Sequence, residues 1–291
     1  MDERPDAAAA DPLVVTGVGV ALGAVCDPTP YLRQRKLRKF MGVQDDLAVV
    51  AAGRALESAG LSGVELGEAA GLYLTVGYIP FEEADLETLH AASCEDGRFS
   101  MRRFSTNALA AANPLLTFRC LPNMPAFHVS TAFGIQGPYL TTYPGPAQLY
   151  GALDAACAAL RDGDVEIALV AGVAHQRNFL VAHHFARIEP PTAAERLADG
   201  AGVLVLETPR GAAARGAPTR GRLLAWDLAY RPSDPFSDAR AASERFGKRE
   251  PDMDLGPASL PVAVAGATPG RYRHELGSRD GFDASSVWER R

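Results

Sequence analysis

Four apolar runs constrain this chain more than any other feature: Leu13–Val18 (LVVTGV), Gly71–Gly77 (GLYLTVG), Val165–Val173 (VEIALVAGV) and Gly202–Glu207 (GVLVLE). They lack the in–out alternation of a half-exposed strand, so they predict strands covered on both faces. The segments between them read as helices. Asp45 and Asp46 offer N-caps to a helix over Ala48–Ala59, which Gly60 closes. Residues 81–92 and Pro122–Phe133 are predicted helical, the second ended by Gly134. Ala147–Leu160 (AQLYGALDAACAAL) is rich in small residues and suits a helix buried against neighbours. Tyr139–Thr142 and Arg220–Asp227 add shorter strands, and 93–107 reads as a polar loop. Buried strands alternating with helices predict an α/β fold with a mostly parallel sheet.

The texture changes after Tyr230, where Pro, Asp, Ser and Arg dominate until Leu260. Only PVAVAG (261–266) then reads as a strand. The expected organisation is a flexible tail (1–11), a main domain (12–230) and a short extension (231–291) with little core of its own. The opening MDERPDAAAADP is acidic, unlike a secretory leader, and no apolar run approaches membrane-spanning length. A cytoplasmic protein is expected. A formal net charge of -6 excludes a general nucleic-acid binder, which needs clustered cations facing phosphates. Cys26, Cys94, Cys120 and Cys157 form no CxxC pair and have no histidine at ligand spacing, so no metal site is expected.

Several segments, in order, resemble the N-terminal half of the β-ketoacyl synthases of the thiolase fold. These are LVVTGVGV, KFMGVQDDLAVVAAGRALESAGL (39–61), LPNMPAFHVSTAFGIQGPYLTT (121–142), GALDAACAALRDGDVEIALVAGV (151–173) and ADGAGVLVLE (198–207). The resemblance implies a thiolase-like α/β domain, with a mostly parallel five-stranded sheet, flanking helices and a reduced or missing C-terminal half. The family's catalytic stretch, GPxxxxxxACASG, places its cysteine eight residues after the proline. Eight residues after Pro138 stands Pro146, followed by Ala147 and Gln148.

That difference decides the chemistry. A ketosynthase needs a thiolate at a helix N-terminus, where backbone N–H groups lower its pKa and hold the oxyanion. Proline has neither thiol nor N–H, yet it fits the first turn of a helix. The family's two catalytic-histidine motifs, HGTGT-like and GHxxGAAG-like, are also absent from the sequence.

Other residues admit plainer readings. Cys120, in FRCLPNM, is the sharpest alternative nucleophile, but free cysteines are most often buried and inert. Cys157 sits among alanines and reads as packing. His128 suits a hydrogen-bonded structural role, His183 and His184 suit a loop or helix, and His274 lies in a polar stretch. The basic run Arg33, Arg35, Lys36, Arg38 and Lys39 is either solvated surface or a docking patch for an acidic carrier protein. By resemblance, Leu115, Leu116, Phe118, Cys120, Asn123 and Met124 lie at the subunit interface and wall the partner's acyl tunnel.

Taken together, the resemblance implies a chain-length-factor-like subunit of a type II polyketide synthase, catalytically inactive and paired with an active ketosynthase. Its other partner would be an acyl carrier protein, which brings the phosphopantetheine arm, and no cofactor of its own is expected. Two alternatives stand beside it: an acyl-carrier-protein-binding scaffold and an acyltransferase using Cys120.

Overall fold

The first apolar run becomes a strand at the middle of the sheet, β1 (Leu13–Leu22), and its glycines explain how the next element packs. A Cβ on Gly19 would collide with the Ala51 carbonyl oxygen of α1 (Val43–Ser58). Only a bare backbone lets this helix lie so close. In this computed structural model, residues 11–23, 25–188, 191–231, 243–248 and 251–291 are described. The expected tail therefore lies almost wholly outside the described residues.

The chain continues through β2 (Ala70–Val76) and α2 (Glu83–Ser93), then a ribbon of β3 (Cys94–Glu95) and β4 (Arg98–Phe99). Short helical turns α3 (Met101–Arg103) and α4 (Leu109–Ala111) flank a π-turn at Phe104–Ala108. Next come α5 (Leu116–Cys120), α6 (Met124–Phe133), β5 (Tyr139–Thr142), α7 (Gln148–Asp162), β6 (Ile167–Ala174) and α8 (Phe179–Arg187). β7 (Gly200–Glu207), α9 (Pro209–Ala214), β8 (Gly221–Tyr230) and β9 (Ser243–Phe246) follow. The chain ends with α10 (Ser259–Gly266), β10 (Gly270–Gly277) and β11 (Phe282–Arg290).

Among the described residues one large sheet runs β5-β2-β6-β7-β1-β8-β11-β10-β9. Only β5, β2 and β6 are parallel, while every other pairing is antiparallel. The expected α/β class with flanking helices holds. The mostly parallel, five-stranded sheet does not: it has nine strands and is mixed. The added strands alternate exposed and buried positions, as one-sided antiparallel strands do.

Two apolar layers cover the sheet. One packs α1 and α6 against Leu72, Leu74, Leu169 and Val203. The other packs α7 against Val170, Leu204 and Leu223, and it includes Leu260, Val264, Leu276, Ala284 and Trp288. The segment after Tyr230 therefore shares the core, contrary to the expected extension. PVAVAG is also not a strand. It forms the body of α10, which rests on the α7 face of the sheet where Gly172 leaves room for the Pro257 carbonyl. A short all-apolar run reads the same whether it is a buried strand or a buried helix.

Helix α1 begins earlier than its caps implied. Gly42 is the N-cap, and Asp45 stands at the third helical position, accepting from the Gly42 N–H at 2.7 Å. The expected loop at 93–107 is instead the β3–β4 ribbon and a helical turn.

Candidate functional site

Open α/β sheets bind ligands beyond the carboxyl ends of their parallel strands. In this chain those ends are Val76, Thr142 and Ala174, with Cys120 beside the first and Pro146 shortly after the second. After Thr142 the chain passes through Gly145, at φ +95°, and Pro146 before entering α7. The turn is well braced. The Leu149 N–H donates to the Pro146 carbonyl at 3.2 Å and the Tyr150 N–H to the Ala147 carbonyl at 3.1 Å. The Thr142 hydroxyl donates to the Gln148 carbonyl at 3.2 Å and lies 2.7 Å from the Thr75 hydroxyl on β2. Pro146 thus keeps a strand–turn–helix geometry and brings no nucleophile to it. It lines a cavity of about 480 Å³ together with Glu244, Asp254, Leu276 and Arg279.

Behind that turn lies a buried polar cluster that sequence reading missed. The Tyr150 hydroxyl is 2.7 Å from both His274 Nδ1 and Ser286 Oγ. Trp288 donates its indole N–H to the same serine at 2.7 Å, and His274 Nε2 meets Glu244 at 2.9 Å. His274 is 1% exposed, so the polar segment RYRHELG hides a core histidine. Period-two alternation was the available signal, because His274 and Leu276 share the inward face of β10. A second buried pair joins the ends of β6 and β7. His175 and Asp199 are 3.0 Å apart, and the Arg177 N–H also donates to Asp199. Burial pushes the Asp199 carboxyl up, but the hydrogen bond from His175 and those of nearby amides outweigh it and hold it below the usual range.

Cys120 ends α5 and lines a small cavity with Gln44, Asp45, Val76, Ile79 and Arg119. Burial, followed by the charges of Asp85 and Glu82, pushes its thiol up to about 11, so it rests protonated and is a poor nucleophile. Cys157 is fully buried and pushed up to about 12 by burial. Among the described residues one Cys–His contact occurs, Cys94 Sγ to His90 at 3.4 Å, four residues apart at the end of α2. No group of residues able to hold a metal occurs among the described residues, and His183 and His184 belong to α8. His128 is buried without a hydrogen-bond partner at either ring nitrogen, unlike the bonded role expected, and burial lowers its pKa to about 4.

The other expected interface residues are spread over α5 and the start of α6. Leu115 and Leu116 are partly buried, and Phe118 is exposed and packs edge-on to Phe40 at 5.3 Å. Asn123 is exposed, and Met124 turns into the core. Of the basic run, Arg33 bonds Glu65 and the Ala132 carbonyl, Arg38 pairs with Asp46 at 2.7 Å, and Lys39 lies over the Phe40 ring. Arg35 and Lys36 are exposed.

Three comparisons bear on this geometry. A search of curated proteins by sequence finds no match. Among solved structures, the chain is similar to one titled as a type II polyketide synthase acyl-carrier protein in complex with its ketosynthase bound to the hexaketide. The TM-score is 0.72 at 15% identity, covering 97% of this chain and 100% of that one. It is also similar to the ishigamide ketosynthase/chain length factor, with TM-score 0.66, 17% identity and coverage of 97% and 99%. A β-ketoacyl synthase from Burkholderia phymatum STM815 matches at TM-score 0.65 and 14% identity, covering 97% and 100%. At these identities the likeness establishes the thiolase-like fold. No helix among the described residues is long and apolar enough to cross a membrane. The family model for the β-ketoacyl synthase N-terminal domain matches residues 5–211, most of the sequence, and this chain belongs to that family.

Proposed function

We propose that this chain is a non-condensing partner of an active ketosynthase, a chain-length factor that completes the dimer and walls its acyl tunnel. The observation that carries this reading is the state of strand β5. It is an edge strand, and its Tyr139 is 70% exposed. Exposed Phe118, Leu121, Phe127, Leu140 and Tyr143 lie on or beside β5 and the two helices that precede it. An unpaired edge with apolar neighbours is a liability in a lone protein and an interface in an assembly. The family turn is kept at Pro146, with no thiol and no N–H where condensation needs both. The partner would take the acyl chain from an acyl carrier protein and condense it. Leu116 and Cys120 would limit the space into which it grows. One neighbour is titled as a ketosynthase/chain length factor and another as a ketosynthase with its carrier protein, in accord with this reading.

Co-expression with an active ketosynthase encoded beside this chain, followed by gel filtration, is the direct test. The expected result is one heterodimer peak and condensation activity only in the mixture. A lone monomer that ignores the ketosynthase overturns the proposal. Pro146→Cys in the isolated chain is expected to give no condensation, because the histidine motifs are missing as well.

A further inference from the structure

The small cavity at Cys120 is lined by polar groups whose hydrogen bonds are unfinished. Gln44 is 4% exposed, and its Nε2 donates to the Tyr78 carbonyl at 2.8 Å while its Oε1 is buried without a partner. Arg119 lines the same cavity, and its Nε is a buried donor without a partner. A buried amide oxygen and a buried guanidinium N–H are costly to leave unbonded. The free volume is about 10 Å³, near the least that holds one water-sized oxygen. Asp45 closes the cavity and already accepts from Gly42, and burial pushes its carboxyl up to about 8. Gln44 Oε1 can only accept a hydrogen bond and Arg119 Nε can only donate one, so a group between them must both accept and donate, which suits a hydroxyl rather than a carboxylate.

We propose that Gln44 and Arg119 form a one-oxygen site at the end of the acyl space, where the hydroxyl of a growing chain's far end accepts from Arg119 and donates to Gln44. This rests on the reading that Leu116 and Cys120 wall the tunnel. The site makes the subunit a selector of chain ends as well as of length: an oxygenated terminus satisfies both groups, while a methyl terminus leaves them unbonded. Water has the same chemistry, so the two sources must be told apart.

The experiment uses the complex with its ketosynthase. Carrier proteins loaded with equal-length chains ending in methyl or hydroxyl compete, and mass spectrometry reads the acyl-ketosynthase formed. The wild-type complex is expected to favour the hydroxyl end roughly tenfold at the length that reaches Cys120. Shorter chains are expected to show no preference. Gln44→Met and, independently, the more exposed Arg119→Met should bring the ratio to parity. Equal use of both chains by wild type means that the cavity takes water alone, and that overturns the site. Leu116→Trp separates the two readings. If it excludes long chains while Gln44→Met and Arg119→Met leave a tenfold ratio unchanged, the site falls and the tunnel stands. If it changes nothing, the tunnel reading falls and the site falls with it.

Discussion

Two buried polar clusters flank the strand ends of this protein, and they differ in completeness. In the cluster around Tyr150, both His274 ring nitrogens, the Tyr150 and Ser286 hydroxyls and the Trp288 indole N–H all have partners. In the cluster at the start of α1, Gln44 Oε1, Asp46 Oδ1 and the Arg119 Nε have none. A finished network rigidifies one arrangement, and its members tie α7 to β9, β10 and β11. An unfinished one is paid for elsewhere in the fold and is the place to expect a ligand or partner. The complete cluster lies behind the Pro146 turn, and the incomplete one adjoins the stretch proposed for tunnel and interface.

The sharpest way to break this contrast is His274→Ala, which strips partners from Tyr150 and Glu244 and opens the core. A loss of about 4 kcal/mol in urea unfolding is expected. Tyr150→Phe should cost less, about 1–2 kcal/mol. A mild result for both would mean that the complete cluster does not hold α7 in place.

Asp45→Asn should act in the opposite direction. With a folded pKa near 8 and an ordinary unfolded value, Asp45 binds its proton more tightly in the folded state across that interval. Its contribution to stability is therefore full at pH 4 and lost as pH rises toward 8. The amide, which cannot ionise, should raise stability at pH 8 by on the order of 3 kcal/mol and leave pH 4 almost unchanged. Thermal unfolding of both proteins at the two pH values checks this. An equal shift at both would remove burial as the cause.

His128→Leu is expected to stabilise by about 1–2 kcal/mol at pH 7, since two buried ring nitrogens go unbonded. Burial lowers the folded pKa of this histidine to about 4, so the wild type loses stability as pH falls from about 6.5 toward 4. The variant should gain further at pH 5. The smallest effect is expected at Cys120. A thiol-directed acyl-thioester probe at pH 7 should label it no faster than in the urea-unfolded chain, and faster labelling would revive it as a nucleophile.

Much of the N-terminal architecture was legible because it is written in patterns that depend on near neighbours. The apolar runs became β2, β6 and β7, and Gly134 ends α6 in the left-handed conformation at φ +67°. The place of Pro146 at the family's nucleophile position rests on the resemblance to the family's catalytic stretch. The C-terminal strands were missed because each is polar on one face, so GRYRHELG and FDASSVWER carry half the apolar signal of a covered strand. The complete cluster was invisible because Tyr150, His274 and Ser286 are joined across 124 and 136 residues. The orphaned atoms of Gln44 and Arg119 were invisible for the opposite reason. Which polar groups go unpaired depends on the packing of three elements, and no local motif records it.

The place of β1 in the sheet has a consequence for how the protein is made. Among the described residues β1 pairs with β7 and β8, with Val14 opposite Glu207 on one side and Arg222 on the other. On the ribosome, this strand therefore waits until β7 and β8 have been made. So high a sequence separation slows folding and leaves LVVTGVGVAL open to wrong pairings in the meantime.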